Sequence, residues 1–281
     1  MTKGDYYTKE ILKRILEEGT LDKNPRPKYK DGTPAHTLSV NHGMCTYDIS
    51  KGETPLITLR PIPIKSGIGE ILWIYRDQSN DLDLLKNKYK VKWWDSWDLG
   101  DRTIGNCYGG TIKNHDIMTE FHNGMKNDPD SRRHIINMWQ YEDFRKPHGL
   151  KPCAFQTNWN VRHEKDADYL DMCLYQRSSD FCTAGCINQV QYVFFLIAIA
   201  KKYNYKPGRF TWFYDNIQIY DRHIDAAKEM IRRIPVDCNP YIEMDEDVTW
   251  ENMMPENVHI KDYPRDIIEK KNKQLVFELG I

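Results

Sequence analysis

Two clusters of Arg and Ser residues flank one Pro-Cys pair, and these residue types suit chemistry on a phosphorylated substrate. The first cluster is residues 131–134 (SRRH), the second is residues 176–180 (QRSSD), and Cys153 follows Pro152 between them. Guanidinium groups form bidentate, charge-assisted hydrogen bonds to phosphate oxygens. Either cluster alone is compatible with a solvated basic turn. Together they indicate a site where several cations bind one anion beside a thiol.

Cys153 is the candidate nucleophile because of these basic neighbours. The thiolate is the reactive form of cysteine, and a nearby guanidinium lowers a thiol pKa from its reference value of about 8.5. A free cysteine is more often a buried core residue, and we expect this for Cys182 and Cys186, which lack a second Cys or His pair at zinc spacing. We expect no metal site. No Walker loop or GxGxxG motif indicates a nucleoside triphosphate or a Rossmann cofactor.

The charge balance limits the classes of partner. The chain has 281 residues, with 40 Lys and Arg against 41 Asp and Glu and a net charge of -1. General nucleic-acid or anionic-membrane binders normally carry a basic excess, so we expect no membrane and no obligatory nucleic acid as partner. The polar opening residues, an apolar run no longer than residues 193–200, and seven cysteines without a CxxC pair predict a cytoplasmic location.

Hydrophobic spacing predicts the helices that position these residues. Ile11, Leu12, Ile15 and Leu16 recur at helical spacing before Gly19. Further helices are predicted around residues 68–75, with Glu70 close to the start, and around residues 116–125, 187–201 and 224–231. Residues 187–201 are apolar nearly all round, which indicates a buried central helix.

Alternating polar and apolar residues predict the strands. Residues 154–161 and 169–177 form a hairpin pattern around a charged turn, and residues 210–220 form another strand pattern. Strands and helices do not alternate regularly, and no Gly- or Ser-rich linker marks a boundary. The sequence therefore predicts an α+β fold in a single domain, residues 1–281.

The chain resembles the thymidylate synthase family in several segments that match in order and spacing. The most specific match is residues 176–180 (QRSSD) followed by Asn188. The other segments are residues 31–39 (DGTPAHTLS), 70–73 (EILW), 94–97 (WDSW), 105–109 (GNCYG), 132–133 (RR), 152–153 (PC) and 220–223 (YDRH). The resemblance extends from about residue 10 to the C-terminal residues 275–281.

This resemblance implies a large mixed β-sheet covered by helices, and a homodimer formed through sheet faces. It implies the reductive methylation of dUMP to dTMP, with 5,10-methylenetetrahydrofolate as donor of both the carbon and the hydride. Dihydrofolate would be the second product.

The resemblance also implies catalytic roles, position by position. Cys153 would attack ring carbon 6 of the pyrimidine, and Arg177 would contact both the thiolate and the phosphate. Glu70 would organise water and protons near the pyrimidine carbonyl, and Tyr108 would help remove the proton on carbon 5. Asn188 would recognise the pyrimidine edge, because an amide can donate to one ring atom and accept from its neighbour.

The remaining implied contacts bind the two substrates. Arg26 and Ser178 would bind the phosphate from the same subunit as Cys153, while Arg132 and Arg133 would reach it from the partner subunit. The residues expected to hold the sugar hydroxyl are Gln218 and Tyr220, and those expected to bind the folate are Asp180, Trp94 and Trp97.

Four departures from the family pattern leave the chemistry possible but bear on affinity and rate. Ala154 and Gln218 stand where many members have His, and Asn216 stands where Asp is usual. Residues 184–187 (AGCI) differ from the more usual Gly-x-Pro-Phe before the Asn. One alternative is a deoxyuridylate (pyrimidine nucleotide) hydroxymethylase, which would trap the carbon with water instead of hydride. Asn188 favours uracil, and Trp94 favours the synthase because an aromatic wall helps to exclude that water. Another alternative is a catalytically silent nucleotide- or RNA-binding relative.

Overall fold

A computed structural model describes all 281 residues, and a six-stranded mixed sheet lies at its centre. The strands are β1 (Thr20–Leu21), β2 (Thr37–Asp48), β3 (Ile135–Asn137), β4 (Ala154–His163), β5 (Asp168–Asp180), β6 (Lys206–Tyr220), β7 (Tyr241–Met244) and β8 (Val258–Lys261). The central sheet has the order β1-β2-β6-β5-β4-β3, and β7 and β8 pair separately. Only β5 and β6 run parallel. The predicted mixed sheet and α+β class are confirmed.

Eight α-helices surround the sheet. They are α1 (Lys3–Glu18), α2 (Ile64–Ile71), α3 (Leu82–Tyr89), α4 (Gly109–Asn114), α5 (Ile117–Asn127), α6 (Cys186–Lys202), α7 (Ile224–Arg232) and α8 (Arg265–Lys271). The helix α8 has one buried residue, Ile268. An apolar stripe of one residue gives no periodic signal in the sequence, and this helix was not predicted.

The predicted central helix is α6, and it packs in the largest part of the core. The helical stretch Phe181–Lys202 is long and apolar enough to cross a membrane, yet 83% of its most apolar window is buried inside the protein. It belongs to a core of 61 residues that includes Trp159 and Trp212. Cys182 and Cys186 are buried in the same core, as predicted from their spacing.

The position of Glu70 within its helix differs from the prediction. The helix begins at Ile64, directly after Pro63, and continues beyond Ile71 as a π-helical turn to Arg76. Glu70 therefore lies near the C-terminal end of α2, and the expectation that it lies close to a helix start is wrong. The helix extends further towards the N-terminus because Ile64 and Ile68 share one buried face at i and i+4.

One face of the sheet carries partly exposed side chains, and we call it the outer sheet face. Met44 pairs across strands with Phe213, which pairs with Tyr175, and the rings of Tyr175 and Phe213 stack at 5.1 Å. The adjacent row consists of Thr46, Thr211 and Cys173. Met44 is 60% exposed. This apolar row is typical of an interaction surface, because large exposed apolar patches usually mark the places where another surface binds.

Candidate active site

Cys153 lies directly before β4, and Arg177 on β5 binds the loop that carries it. The backbone N–H of Arg177 donates to the Cys153 carbonyl at 2.9 Å, and its side chain donates to the carbonyls of Pro152 at 2.9 Å and Lys151 at 2.8 Å. One guanidinium nitrogen lies 3.6 Å from the Cys153 sulfur. The guanidinium also lies over the Trp139 ring, with its central carbon 5.4 Å from the ring centroid. The predicted pairing of this thiol with Arg177 is present in the structure.

The surroundings act on the Cys153 pKa in opposite directions. Burial raises the thiol pKa above its ordinary value, while the charges of Arg177 and Arg26 and a hydrogen bond with Tyr108 lower it. Arg26 is exposed and has no ion pair or hydrogen bond from its side chain within the chain. An anion bound here would meet the guanidiniums of Arg177 and Arg26 beside the thiol, and of the two basic clusters only residues 176–180 supply one of them.

Tyr108, Trp94 and Trp97 form an aromatic wall next to the thiol. The Tyr108 hydroxyl accepts the Cys153 backbone N–H at 3.0 Å. Its ring packs edge-on against Trp94 at 4.9 Å, and Trp94 packs against Trp97 at 5.4 Å. Tyr108 has φ 48° and ψ −116°, a strained conformation for a residue with a side chain. Such strain concentrates at functional sites.

Glu70 lies on the far side of this wall, at 8% exposure. The Trp94 indole N–H and the Gln191 amide each donate to one of its two carboxylate oxygens. Burial raises the pKa of Glu70, and these two donors oppose the rise because they stabilise the charged form. A buried carboxyl group held by two donors in this way is suited to proton exchange with a bound group.

Asn188 lies in the first turn of α6 and is hydrogen-bonded to two glutamines for which the sequence predicted no role. Its side-chain oxygen accepts from Gln176 at 3.0 Å, and its side-chain nitrogen donates to Gln191 at 2.8 Å. Gln176 belongs to the QRSSD segment, and Gln191 follows Asn188 by three residues. The i,i+3 spacing on a predicted helix was the available signal.

A second polar group forms around the end of β5. Thr183 donates to one oxygen of Asp180, and the other oxygen lies 3.9 Å from the His223 ring. Burial raises the pKa of Asp180, and the His223 charge opposes this. Gln218 on β6 donates to the Ser178 hydroxyl at 3.3 Å. His223 is the last residue of the matching segment 220–223 (YDRH), but the motif gave no sign of its contact with Asp180, which forms through the fold.

Several buried polar atoms of this second group have no partner within the chain. They are Ser179 Oγ, Asp180 Oδ1, Gln218 Oε1 and His223 Nδ1. Buried polar atoms are normally hydrogen-bonded. These atoms therefore fit a polar ligand or ordered water.

Tyr220 borders this region together with the C-terminal residues. It is 8% exposed, and its hydroxyl donates to the Gly280 carbonyl at 3.2 Å. The backbones of Ile281 and Lys28 exchange two hydrogen bonds, of 2.9 and 3.0 Å. The loop that carries Arg26 and the chain end therefore support each other beside Tyr220.

Arg132 and Arg133 are not brought to Cys153 within one chain. Both are exposed in the connection between α5 and β3, and neither side chain forms a hydrogen bond or an ion pair in the chain. Both guanidiniums are therefore available to a group outside the chain.

Comparison with known proteins identifies the family. The thymidylate synthase family model matches residues 6–272. The chain is 43% identical to thymidylate synthase of Lactococcus lactis subsp. lactis (strain IL1403) over 284 residues, and 43% identical to that of Streptococcus pneumoniae (strain 70585), with 100% of each chain covered. Its structure is similar to a thermostable thymidylate synthase A from Bacillus subtilis, with a TM-score of 0.88, 29% identity and 99% of both chains covered. The chain therefore belongs to the thymidylate synthase family and is a methyltransferase.

Proposed function

We propose that this enzyme methylates dUMP to dTMP, with 5,10-methylenetetrahydrofolate as donor of the carbon and the hydride and with Cys153 as the nucleophile. The observation that carries the proposal is the position of the Cys153 sulfur, 3.6 Å from a guanidinium nitrogen of Arg177 and beside the Tyr108 hydroxyl. The positive charge favours the thiolate, and the tyrosine offers a group for proton transfer.

The proposed reaction passes through a covalent adduct between Cys153 and the nucleotide. The Cys153 thiolate adds to ring carbon 6 of dUMP, and the electron pair moves through carbon 5 to the carbonyl oxygen as an enolate. Carbon 5 attacks the methylene carbon of the folate, and its proton leaves by a path that includes the Tyr108 hydroxyl. Loss of tetrahydrofolate forms an exocyclic methylene group on the ring. Hydride transfer from tetrahydrofolate to that methylene, with departure of the thiolate, gives dTMP and dihydrofolate.

The nucleotide contacts follow from the charged and amide groups of the site. Arg26, Arg177 and Ser178 bind the phosphate, and Gln218 and Tyr220 bind the sugar hydroxyl. Asn188 binds the pyrimidine edge, while Glu70 supplies or receives protons near the pyrimidine carbonyl. The two hydrogen-bond donors to Glu70 support this role because they hold the buried carboxyl group in place.

The folate contacts use the aromatic wall and the second polar group. Trp94 and Trp97 line the folate pocket, and Asp180 hydrogen-bonds the pterin. The unpartnered Oδ1 atom of Asp180 supports this assignment, because a pterin N–H would satisfy it.

A homodimer completes the site in this proposal. The outer sheet face supports it, because Met44, Tyr175 and Phe213 form a partly exposed apolar row that a second copy would cover. Arg132 and Arg133 then reach the phosphate of the partner subunit. We further propose that residues 1–281 act as one catalytic domain in the cytoplasm, with no membrane and no obligatory nucleic acid as partner.

The test is formation of a covalent complex. The purified enzyme is incubated with 5-fluorodeoxyuridine monophosphate and methylenetetrahydrofolate, and intact mass is measured under denaturing conditions. We expect a ternary adduct on Cys153, because fluorine on carbon 5 cannot leave as a proton. A folded sample without adduct contradicts the mechanism and favours the catalytically silent relative.

The hydroxymethylase is the second candidate, and the same assay with dUMP distinguishes it. A methyl product with release of dihydrofolate supports the synthase, whereas a hydroxymethyl product without dihydrofolate supports the hydroxymethylase. The contacts of Trp94 with Tyr108 and Glu70 favour the synthase, because they fix an aromatic wall that excludes water.

A further inference from the structure

Three side-chain amides form one continuous chain of hydrogen bonds across the site. The Trp212 indole N–H donates to Gln176 at 2.9 Å, and Gln176 donates to Asn188 at 3.0 Å. Asn188 donates to Gln191 at 2.8 Å, and Gln191 donates to the Gly67 carbonyl at 3.1 Å. All donors of this chain therefore point the same way, from β6 through β5 and α6 to α2.

The two groups at the ends of this series of hydrogen bonds, the Trp212 indole and the Gly67 carbonyl, have fixed polarity. An indole N–H can only donate, and a backbone carbonyl can only accept. Because Trp212 donates, Gln176 turns its oxygen to Trp212 and its nitrogen to Asn188. Because Gly67 accepts, Gln191 turns its nitrogen to Gly67 and its oxygen to Asn188. Both neighbours therefore impose the same orientation on the Asn188 amide.

Close packing of α2 on α6 holds Gln191 in this position. Gln191 is 2% exposed, and a Cβ atom on Gly67 would lie 3.0 Å from its Cγ. Gln176 is 3% exposed, and its nitrogen also donates to the Ser178 carbonyl at 3.2 Å. Reversing either amide would leave buried polar atoms facing groups of the same polarity.

A side-chain amide has two N–H groups and two oxygen lone pairs. The hydrogen bonds to Gln176 and Gln191 use one of each, so Asn188 keeps one free N–H and one free lone pair. The free N–H suits the carbonyl oxygen on ring carbon 4 of uracil, and the free lone pair suits the N–H at ring position 3. Cytosine carries an amino group and a bare ring nitrogen at these two positions, so it needs the reversed amide. We propose that Gln176 and Gln191 are positioning residues that fix the Asn188 amide for uracil and against cytosine. This inference rests on the proposed contact between Asn188 and the pyrimidine edge.

Gln191 also connects this recognition to Glu70. Its nitrogen donates both to the Gly67 carbonyl and to a Glu70 oxygen. The hydrogen bond from Gln191 opposes the rise in the Glu70 pKa that burial causes. The residue that orients the proposed base contact is therefore also hydrogen-bonded to the acid beside it.

The experiment compares the affinities of the full-length enzyme for dUMP and dCMP by calorimetry. Gln191→Met keeps the size of the side chain but removes both polar groups. We expect the ratio of dUMP to dCMP affinity to fall about tenfold, because one of the two constraints on Asn188 is lost. Trp212→Phe removes the donor at the other end, and we expect the ratio to fall there too. With Gln191→Met, the acid limb of kcat/KM for dUMP should also move to higher pH.

Gln189→Met is the matched control. Gln189 is 3% exposed on the same helix and bonds Tyr47 and the Gly185 carbonyl, away from Asn188. It should lower stability without changing either the affinity ratio or the acid limb. An unchanged ratio in both Gln191→Met and Trp212→Phe, in an enzyme that still forms the fluorodeoxyuridylate adduct, overturns the assignment. Absence of that adduct in the wild-type enzyme overturns the proposed function itself.

Discussion

The backbone N–H of Cys153 donates a 3.0 Å hydrogen bond to the hydroxyl oxygen of Tyr108. The phenol oxygen therefore acts as an acceptor towards the proposed nucleophile, and its own proton is free to point elsewhere. Burial keeps the pKa of Tyr108 well above its ordinary value, so this hydroxyl stays protonated at neutral pH. The tyrosine can thus position the thiol loop and pass a proton in the same site.

Tyr108→Phe should lower kcat about 10²- to 10⁴-fold, because a positioned proton-transfer group is lost. The dUMP affinity should change little, and the measurement is steady-state kinetics together with nucleotide binding. Tyr75→Phe is the control, since it removes a buried hydroxyl that bonds only Tyr192. A Tyr108→Phe enzyme with near wild-type kcat would exclude the proposed proton path.

Arg177→Ala should shift the pH dependence of Cys153 alkylation to higher pH. The Arg177 charge lowers the thiol pKa, so its removal raises that pKa and leaves less thiolate at any pH below it. Iodoacetamide labelling of Cys153, followed by peptide mass spectrometry across pH, measures the shift. Arg162→Ala, which breaks an ion pair with Asp171 on the same sheet, should leave the profile unchanged. A profile that stays in place for Arg177→Ala would mean that Arg177 does not activate the thiol.

Asp180→Asn should raise the folate KM about 10- to 100-fold, because a charge-assisted hydrogen bond is typically worth 1.5–3 kcal/mol. Binary dUMP affinity should stay close to wild type. The control is Asp171→Asn, which changes a carboxylate on the same strand that pairs with Arg162. Equal losses of dUMP and folate binding in Asp180→Asn would argue for a structural role.

Gly67→Ala should destabilise the protein by about 1–3 kcal/mol, the usual cost of overpacking. The new Cβ would lie 2.9 Å from Ile187 and 3.0 Å from Gln191, so the preference for dUMP over dCMP should fall as well. Gly69→Ala strains the same helix against Tyr89 and should affect stability alone. Thermal unfolding and nucleotide binding measure the two effects. An intact preference in a destabilised Gly67→Ala protein would contradict the role of this contact.

Mixing two inactive variants tests whether Arg133 acts across the dimer. Refolding Cys153→Ser together with Arg133→Ala should restore activity, because one site of each mixed dimer then contains an intact Cys153 and an intact partner arginine. Cys153→Ser mixed with Arg177→Ala should stay inactive, since both residues belong to the same subunit in the proposal. If the first pair also stays inactive while mixed dimers form, Arg133 does not contribute across the interface.

Residues in short, contiguous motifs could be predicted from the sequence, and those that meet through helix packing could not. Pro152-Cys153 directly precedes β4 and the QRSSD segment ends β5, the other strand of the same hairpin, so their proximity follows from the hairpin pattern. The contact of Gln191 with Gly67 and Glu70 depends on how α2 crosses α6, which no local pattern encodes. Glu70 was expected too close to the start of its helix, because the helix already begins at Ile64, directly after Pro63. The roles of Arg132 and Arg133 stay predictions, since they involve a second chain.

The one-way amide chain also limits how this enzyme could evolve a new base preference. Asn188→Asp, the simplest step towards cytosine, would set a carboxylate oxygen against the oxygen of Gln191, while Gly67 prevents Gln191 from turning over. A cytosine-specific descendant of this chain would therefore need a second change at position 191 before or together with the first. In this proposal the base preference depends on positions 188 and 191 together, so a change at position 188 alone is not sufficient to reverse it.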